Sequence, residues 1–235
     1  MKRRREAEKA SEIRSAIEEL SVVVKIKPAD GHDAAHIHHD DAAQIHHDAA
    51  QIPTKTFLSV CNLVVQILDK IGPTMAVLRQ DVHQNIQRLE MLHQSEPSRY
   101  SNLVEIVKKE VGEGIAREGK SCSRAFVWLT RSLDFTVALL QKLANDPGKS
   151  MEQAVEESYD ITLKPWHRWI SSAACKVALK IVPDNKTFIN LLMAKDEDYD
   201  TLKEDIQTLI SLLVPLLEEI HSILGSYGLD RLKSN

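Results

Sequence analysis

The sequence predicts an all-α protein, and three observations support that prediction. Apolar residues recur at helical spacing through most of the chain. The apolar content, 43% of 235 residues, comes mainly from Leu, Ile, Val and Ala, while aromatic residues make up only 5%. This composition suits helices more than a β-sandwich. No segment alternates apolar and polar residues in the way a half-buried strand requires.

The N-terminal part contains one predicted helix, over residues 11–24, followed by a compositional break. The apolar residues at helical spacing in this helix are Ile13, Ile17, Leu20 and Val24. From Pro28 to Pro53 the chain carries the near-duplicate IHHDDAAQ and IHHDAAQ, with little bulky apolar content. Such a segment cannot bury enough surface to offset its ordering entropy, so we expect a disordered insert. We therefore separate residues 1–53 from a folded domain over residues 54–235.

Four further helices are predicted before residue 145. They run from Thr54 to Ile71, from about Thr74 to His93, across residues 103–111, and from about Ser121 to Ala144. Glycine and proline mark the breaks after them, at Gly72-Pro73, Glu96-Pro97-Ser98, Gly112 with Gly114, and Asn145-Asp146-Pro147-Gly148.

Two helical patterns complete the chain. The first runs from Met151 to the break at Pro183, and Pro165 lies inside it. Because proline cannot donate the helical hydrogen bond, we expect a kink or a helix restart near Lys164. The last predicted helix is Asp200–Leu224, and we expect Pro215 to interrupt it.

Composition argues against several classes of function. The net charge of −4 gives no support for a nucleic-acid partner. Three cysteines, Cys61, Cys122 and Cys175, lack paired or metal-ligand spacing, which fits a reducing compartment. No stretch reaches the apolar length needed to span a bilayer, and the basic N-terminus lacks the apolar run of a signal peptide. We therefore expect a cytoplasmic protein.

Neither catalysis nor a resident metal is predicted. The sequence has no nucleophile in a recognisable elbow, no HExxH and no Gly-rich phosphate loop, so we expect no enzyme and no cofactor. The insert brings imidazoles and carboxylates together, and these groups could bind Zn, Cu or Ni weakly without a fixed geometry. A metal-responsive or scaffolding role for the insert therefore remains an alternative, although duplicated low-complexity insertions are more often neutral.

Three polar residues at helical spacing stand out in the segment RQDVHQNIQRLE. Asp81, Asn85 and Arg88 are four and three residues apart, so they place a carboxylate, an amide and a guanidinium on one helix face. An apolar stripe runs beside them and consists of Val82, Ile86 and Leu89. This chemistry suits a polyhydroxyl ligand at the edge of a buried surface. The same residues are also common on a solvated helix edge, and both interpretations stay open.

An indole and an imidazole provide the other candidate contacts. Trp128 has Arg124 and Arg131 on adjacent helical turns. It could be a core residue, or it could lie at the rim of a cleft with its ring face open to the C–H face of a pyranose. His167 shares a helix face with apolar residues and should point inward. There it needs a hydrogen-bond partner, which could be a protein group or a ligand amide.

Taken together, these residues resemble the glycolipid transfer protein family. The resemblance covers about residues 55–233 and rests on three motifs in order, which are Asp81-x3-Asn85-x2-Arg88, Trp128-Leu129-x-Arg131 and Trp166-His167-x-Trp169. Singly each motif is weak, but in this order and at these separations they are quite specific. The resemblance implies a two-layer helical sandwich of about eight helices that encloses an apolar slot for ceramide chains. It also implies a carrier of glycosphingolipid, such as glucosylceramide or galactosylceramide, and no chemistry.

The resemblance also implies a role for each candidate residue. Asp81 would bond a sugar hydroxyl and the ceramide amide N–H, and Asn85 and Arg88 would bond the sugar. Trp128 would stack on the sugar ring, and His167 would bond the ceramide carbonyl. The logic is physical, since a sphingolipid cannot leave a bilayer unless its chains stay dry and its polar groups stay paired.

Membrane contact and head-group choice are the remaining expectations. Trp169 and Ile170 are expected to face outward and to engage a membrane surface transiently. Arg88 replaces the Lys of the animal form, and Arg124 stands where animal members have an apolar residue. With Arg131, these cations keep a ceramide-1-phosphate carrier or sensor open as the alternative.

Overall fold

In a computed structural model of the protein, the structure describes residues 12–26, 51–146, 148–167, 177, 180–194 and 197–234. These residues form eight α-helices and no strand, which confirms the predicted all-α class. The helices are α1 Glu12–Ile26, α2 Thr54–Ile71, α3 Ala76–Ser95, α4 Leu103–Gly112, α5 Cys122–Asn145, α6 Met151–Thr162, α7 Asn185–Leu192 and α8 Tyr199–Ser226. Short 3₁₀ turns, Pro73–Met75 and Arg99–Ser101, precede α3 and α4.

Helix α5 is central, because it contacts α2, α3, α4, α6 and α8. Side chains fix its first turn. The Ser121 hydroxyl accepts a hydrogen bond from the N–H of Arg124 at 3.1 Å, and the Glu110 carboxylate accepts from the N–H groups of Cys122 and Ser123 at 2.8 and 2.6 Å. Glu110 is only 5% exposed. Its negative charge is stabilised there by the orphan N–H groups at the helix N-terminus.

Helix α1 belongs to the same core as the rest of the chain. It packs against α2 and α8, and Ile13 joins the central hydrophobic cluster. Ile52 is also fully buried, and its backbone bonds to the Asn102 side chain and to Leu103 N–H, both at 3.0 Å. The two stretches that the sequence analysis separates therefore share one core, and the expected disorder does not reach Ile52. The His-rich duplication lies outside the described residues.

The helix that begins at Met151 breaks where the sequence indicated. It ends at Thr162, and the N–H groups of Leu163 and Lys164 both donate to the carbonyl of Tyr159, at 3.1 and 3.0 Å. The chain then turns through residues 163–166 to His167. The break lets the imidazole fold back towards α6 instead of continuing along its axis.

Helix α8 corrects two expectations. It is continuous through Pro215, so the expected interruption is wrong. The proline removes one N–H donor but lies on the exposed side, while Leu209, Leu213 and Ile220 anchor the opposite side in the core. By length and composition this helix could also cross a membrane, contrary to the sequence expectation. In the structure it packs against α1 and α5, and its buried side joins the hydrophobic core.

Candidate ligand cavity

One large cavity, of about 540 Å³, is lined by residues of α2, α3, α5, α6 and α7. All five predicted ligand contacts line it, namely Asp81, Asn85, Arg88, Trp128 and His167. Residues that are up to 86 positions apart in the sequence therefore meet at one site. In particular, Trp128 and Asp81 line the same cavity, as the sequence interpretation requires.

The cavity has a polar end and an apolar end, and α5 runs from one to the other. The α5 residues that line the cavity begin with Arg124 and Trp128 at the polar end and finish with Leu139 and Leu140 at the apolar end. At 1.5 Å per residue, Arg124 and Leu140 are about 24 Å apart along the axis. Away from the polar end the cavity is lined by apolar side chains from α2, α3, α5 and α7, which include Val64, Ile67, Leu68, Ile71, Val77, Leu78, Leu139, Leu140 and Phe188.

Contacts between α3 and α5 hold the polar triad at the polar end. The backbone carbonyl of Arg88 accepts from Cys122 Sγ at 3.6 Å, and Arg88 Nη1 makes a long bond of 3.5 Å to the carbonyl of Ser121. Asn85 is buried, and its Nδ2 donates to the carbonyl of Asp81 at 3.0 Å. Desolvation raises the pKa of Asp81, and the charge of Arg88 opposes that shift. The triad therefore lies on a cavity wall, with Asn85 buried, Arg88 partly buried and Asp81 still exposed to solvent.

An aromatic group forms a second part of the cavity lining. The rings of Trp128 and His167 stack with centroids 5.4 Å apart and planes 23° apart. The hydroxyl of Tyr159 lies 3.2 Å from His167 Nδ1. Burial, and secondly the charge of Arg131, lower the pKa of His167, so the imidazole is neutral at neutral pH. The sequence left the partner of this histidine open, and the structure provides Tyr159.

Arg131 supports this aromatic wall from behind. Its guanidinium lies between the rings of Trp128 and Trp166, at 4.9 and 4.3 Å from their centroids. It also donates to the carbonyls of Leu232 and Asp230, at 2.6 and 2.8 Å. Burial lowers its pKa to about 10. Arg131 does not line the cavity, so its charge acts on the packing and not directly on a ligand.

The C-terminal segment, residues 229–234, completes the polar end. Arg124 Nη2 donates to the carbonyl of Lys233, and the N–H of Ser234 donates to the carbonyl of Trp166 at 2.9 Å. Ser234 lines the cavity directly. Sequence reasoning missed this segment, because it contributes backbone carbonyls that carry no residue-specific signal. It also missed the hydrogen bond of Tyr159, although that residue stood in the predicted helix.

Two groups of predicted residues lie outside the described part of the chain. These are the expected membrane contacts, Trp169 and Ile170, and the histidines of the insert. Among the described residues no group of three His, Cys, Asp or Glu side chains could hold a metal ion. Cys61 and Cys122 are buried free thiols, and burial raises the pKa of Cys122 to about 11, so neither is a reactive thiolate.

Comparisons with known proteins agree with this geometry. Residues 52–194 match the family model named Glycolipid transfer protein. Glycolipid transfer protein 3 of Arabidopsis thaliana is 56% identical over 96% of this chain and 93% of its own length. Glycolipid transfer protein 2 of the same plant is 54% identical over the full length of both chains.

Solved structures with the same fold bind two kinds of head group. A structure of FAPP2, described as selecting simple glycosphingolipids with this fold, is similar with a TM-score of 0.73 and 26% identity, over 80% of this chain and 92% of that one. A mutant of Arabidopsis ACD11 in complex with ceramide-1-phosphate has a TM-score of 0.76, over 94% of this chain and 98% of that one. The identity to ACD11 is only 18%, so that similarity concerns the fold alone.

Proposed function

Because the chain belongs to the glycolipid transfer protein family, it is a lipid transfer protein and not an enzyme, and we propose that its cargo is glucosylceramide or galactosylceramide. The observation that carries this proposal is the composition of the polar end. A carboxylate, an amide, a guanidinium and an indole line one cavity, which continues into an apolar region. These are the groups that a hexose on a ceramide needs.

The sugar would lie between the triad and the indole. Asp81 and Asn85 offer hydrogen-bond acceptors and donors for hydroxyl groups, and Arg88 offers further donors. The apolar face of the pyranose would pack on Trp128, whose area makes it the largest apolar contact at this end. A ligand that covers Asp81 and excludes water would strengthen each hydrogen bond that the carboxylate accepts from it.

Asp81 and His167 would hydrogen-bond the ceramide amide. The carboxylate accepts the amide N–H. If the Tyr159 hydroxyl donates to Nδ1 of the neutral imidazole, the ring proton lies on Nε2 and is available to the amide carbonyl. Both polar groups of the amide are then paired, while the chains enter the apolar part of the cavity. An unpaired amide buried there would cost about 1–3 kcal/mol.

Ceramide-1-phosphate is the second candidate, since Arg88 and Arg124 both line the cavity. Two observations favour the hexose. Arg124 already donates to the carbonyl of Lys233, and Arg131 is held behind Trp128 by two backbone carbonyls. The carboxylate of Asp81 also suits a neutral sugar better than a phosphate dianion, because it would repel the latter.

Delivery would take place at a membrane surface from the cytoplasm. We propose that Trp169 and Ile170 contact the bilayer, as their sequence predicts. The exposed Ile161 at the end of α6, 65% exposed, lies close to them along the chain and is consistent with an apolar docking face.

The test identifies the cargo directly. The protein is purified without added lipid, and the lipid that co-purifies is identified by mass spectrometry. Transfer of labelled glucosylceramide between phosphatidylcholine vesicles is then measured in the presence of an unlabelled competitor, which is either glucosylceramide or ceramide-1-phosphate. We expect a monohexosylceramide in the first measurement and competition by the hexose lipid in the second. A clear preference for the phosphate lipid would instead establish the second candidate.

A further inference from the structure

A second, smaller cavity adjoins the apolar end of the first. It measures about 30 Å³ and lies among α5, α7 and α8. Among the described residues, Leu140 and Phe188 are the side chains that line both cavities. They therefore form the partition between them. Beyond the partition the small cavity is lined by Leu143, Ala144, Ile189, Leu192, Tyr199, Leu202, Lys203 and Ile206.

Phe188 is held in this position by the ends of its helix. The Asp184 carboxylate caps α7 by accepting from the N–H of Thr187 at 2.8 Å, and Asn185 Nδ2 donates to the carbonyl of Lys149 at 2.6 Å. At the other end, Lys70 Nζ donates to the carbonyl of Leu191 at 3.0 Å. Helix α7 is thus tied to α2 and to the segment before α6. With 5% of its surface exposed, the phenyl ring has little room to withdraw.

We propose that Phe188, together with Leu140, is the chain stop that sets the longest aliphatic chain the cavity accepts. This proposal rests on the proposed function, since it assumes a sphingolipid whose polar part lies at Trp128. A chain that enters there runs along α5 and meets the partition at Leu140 after about 18 Å of helix axis. A longer chain must fold back or leave methylene groups in water, and each methylene left in water lowers the affinity about fourfold.

The other apolar lining residues do not have this role. Those of α2 and α3, such as Ile67 and Leu78, line only the large cavity, so their truncation enlarges it without joining it to the small one. Truncation of Phe188 instead joins two existing spaces end to end. The chain-length preference should therefore be sensitive to this position and insensitive to its neighbours on the far side.

The experiment compares two acyl chains on one head group. Transfer of palmitoyl-glucosylceramide and of lignoceroyl-glucosylceramide between phosphatidylcholine vesicles is measured for the wild type and for Phe188→Ala. We expect the ratio of long-chain to short-chain transfer to rise at least about fourfold in the variant. Leu192→Ala is the matched control, because Leu192 is buried and lines only the small cavity. It enlarges the far side but leaves the partition, so its ratio should equal that of the wild type.

Two outcomes would overturn the chain stop: an unchanged ratio in Phe188→Ala, or an equal rise in Leu192→Ala. If Phe188→Ala does not fold, the milder Phe188→Leu decides in the same way, with a smaller rise expected. If the wild type transfers neither glucosylceramide, the proposed head group is wrong. The ratio is then measured with ceramide-1-phosphate that carries the same two acyl chains, so the two proposals fail separately.

Discussion

The two ends of the cavity are built on different principles. At the polar end, side chains are held by directional bonds to distant backbone groups, as Arg131 is by the carbonyls of Leu232 and Asp230. At the apolar end, the side chains of Phe188 and its neighbours make only packing contacts, although the helix that carries Phe188 is fixed by hydrogen bonds at its ends. A directional bond fixes an atom, whereas packing fixes a volume. Substitutions at the polar end should therefore change stability and head-group choice, and those at the apolar end should change the available space.

The largest effect is expected from Arg131→Met. Methionine fills much of the space between Trp128 and Trp166 but donates no hydrogen bond, so two carbonyls of the C-terminal segment lose their partner. We expect the free energy of unfolding to fall by about 2–4 kcal/mol, because each buried carbonyl left unsatisfied costs about 1–3 kcal/mol. Urea denaturation followed by tryptophan fluorescence measures this loss.

Arg117→Met is the matched control. Arg117 also donates to a carbonyl of the C-terminal region, that of Gly228 at 2.9 Å, but its side chain is exposed. Water can replace this bond, so the loss should stay below about 1 kcal/mol. Equal losses in the two variants would mean that burial between the indoles does not matter, and the comparison of the two ends would fail at its strongest point.

Trp128→Ala should have the next largest effect, at least about a tenfold loss of glucosylceramide transfer, equivalent to 1.4 kcal/mol. Trp166→Ala is the control, because both indoles stack on Arg131 but only Trp128 lines the cavity. Both variants should lose stability. Only Trp128→Ala should also lower the preference for glucosylceramide over ceramide-1-phosphate in a competition assay. A similar change in Trp166→Ala would remove Trp128 from the sugar site.

The same difference between the ends explains what the sequence could predict. Helix periodicity and Gly-Pro stops located most helices to within a few residues, since the local pattern determines them. The motifs predicted that Asp81, Asn85 and Trp128 share one site, and all three line one cavity in the structure. The partition at Phe188 was not predictable, because it depends on how α7 packs against α5 and α8, and an apolar residue on a helix gives no signal of that.

Backbone contributions were equally invisible in the sequence. The carbonyls that hold Arg124 and Arg131 belong to Lys233, Leu232 and Asp230, and any residue could provide them. Pro215 was misread for a related reason, since local propensity predicted an interruption and tertiary packing of α8 overrode it.

A smaller effect is expected at the apolar wall. Val155 is buried and lines the large cavity from α6. Val155→Ala should lower the free energy of unfolding by about 1.5 kcal/mol, because it removes two buried methyl groups without leaving a polar group unpaired. The competition between glucosylceramide and ceramide-1-phosphate should stay as in the wild type. A changed head-group preference would show that the two ends of the cavity are coupled. The contrast between directional bonds at one end and packing at the other would then fail.

The smallest effects should come from pH, and they should be confined to the polar end, since the described lining of the apolar end has no titratable side chain. Two histidines have opposite pKa shifts, His167 in the cavity lining and His221 on α8, outside that lining. The pKa of His167 is lowered by burial and then by Arg131, whereas the hydrogen bond that His221 Nε2 donates to the Asp134 carboxylate, at 2.9 Å, raises the pKa of His221.

The two shifts give opposite pH dependences. Below about pH 6.5 the unfolded chain protonates His167 before the folded protein does, so stability falls as the pH falls towards the lowered pKa. Above about pH 6.5 the folded protein keeps the proton on His221 longer, so that contribution is lost as the pH rises through the raised pKa. Urea denaturation across this range measures how the free energy of unfolding depends on pH. His167→Gln should flatten this dependence on the acid side, and His221→Gln should flatten it on the alkaline side.

In the wild type, glucosylceramide transfer should weaken on the acid side, because protonated His167 can no longer accept from Tyr159. The ratio of lignoceroyl to palmitoyl transfer should stay constant, and a ratio that follows the titration would show that charge at the mouth also controls the far wall.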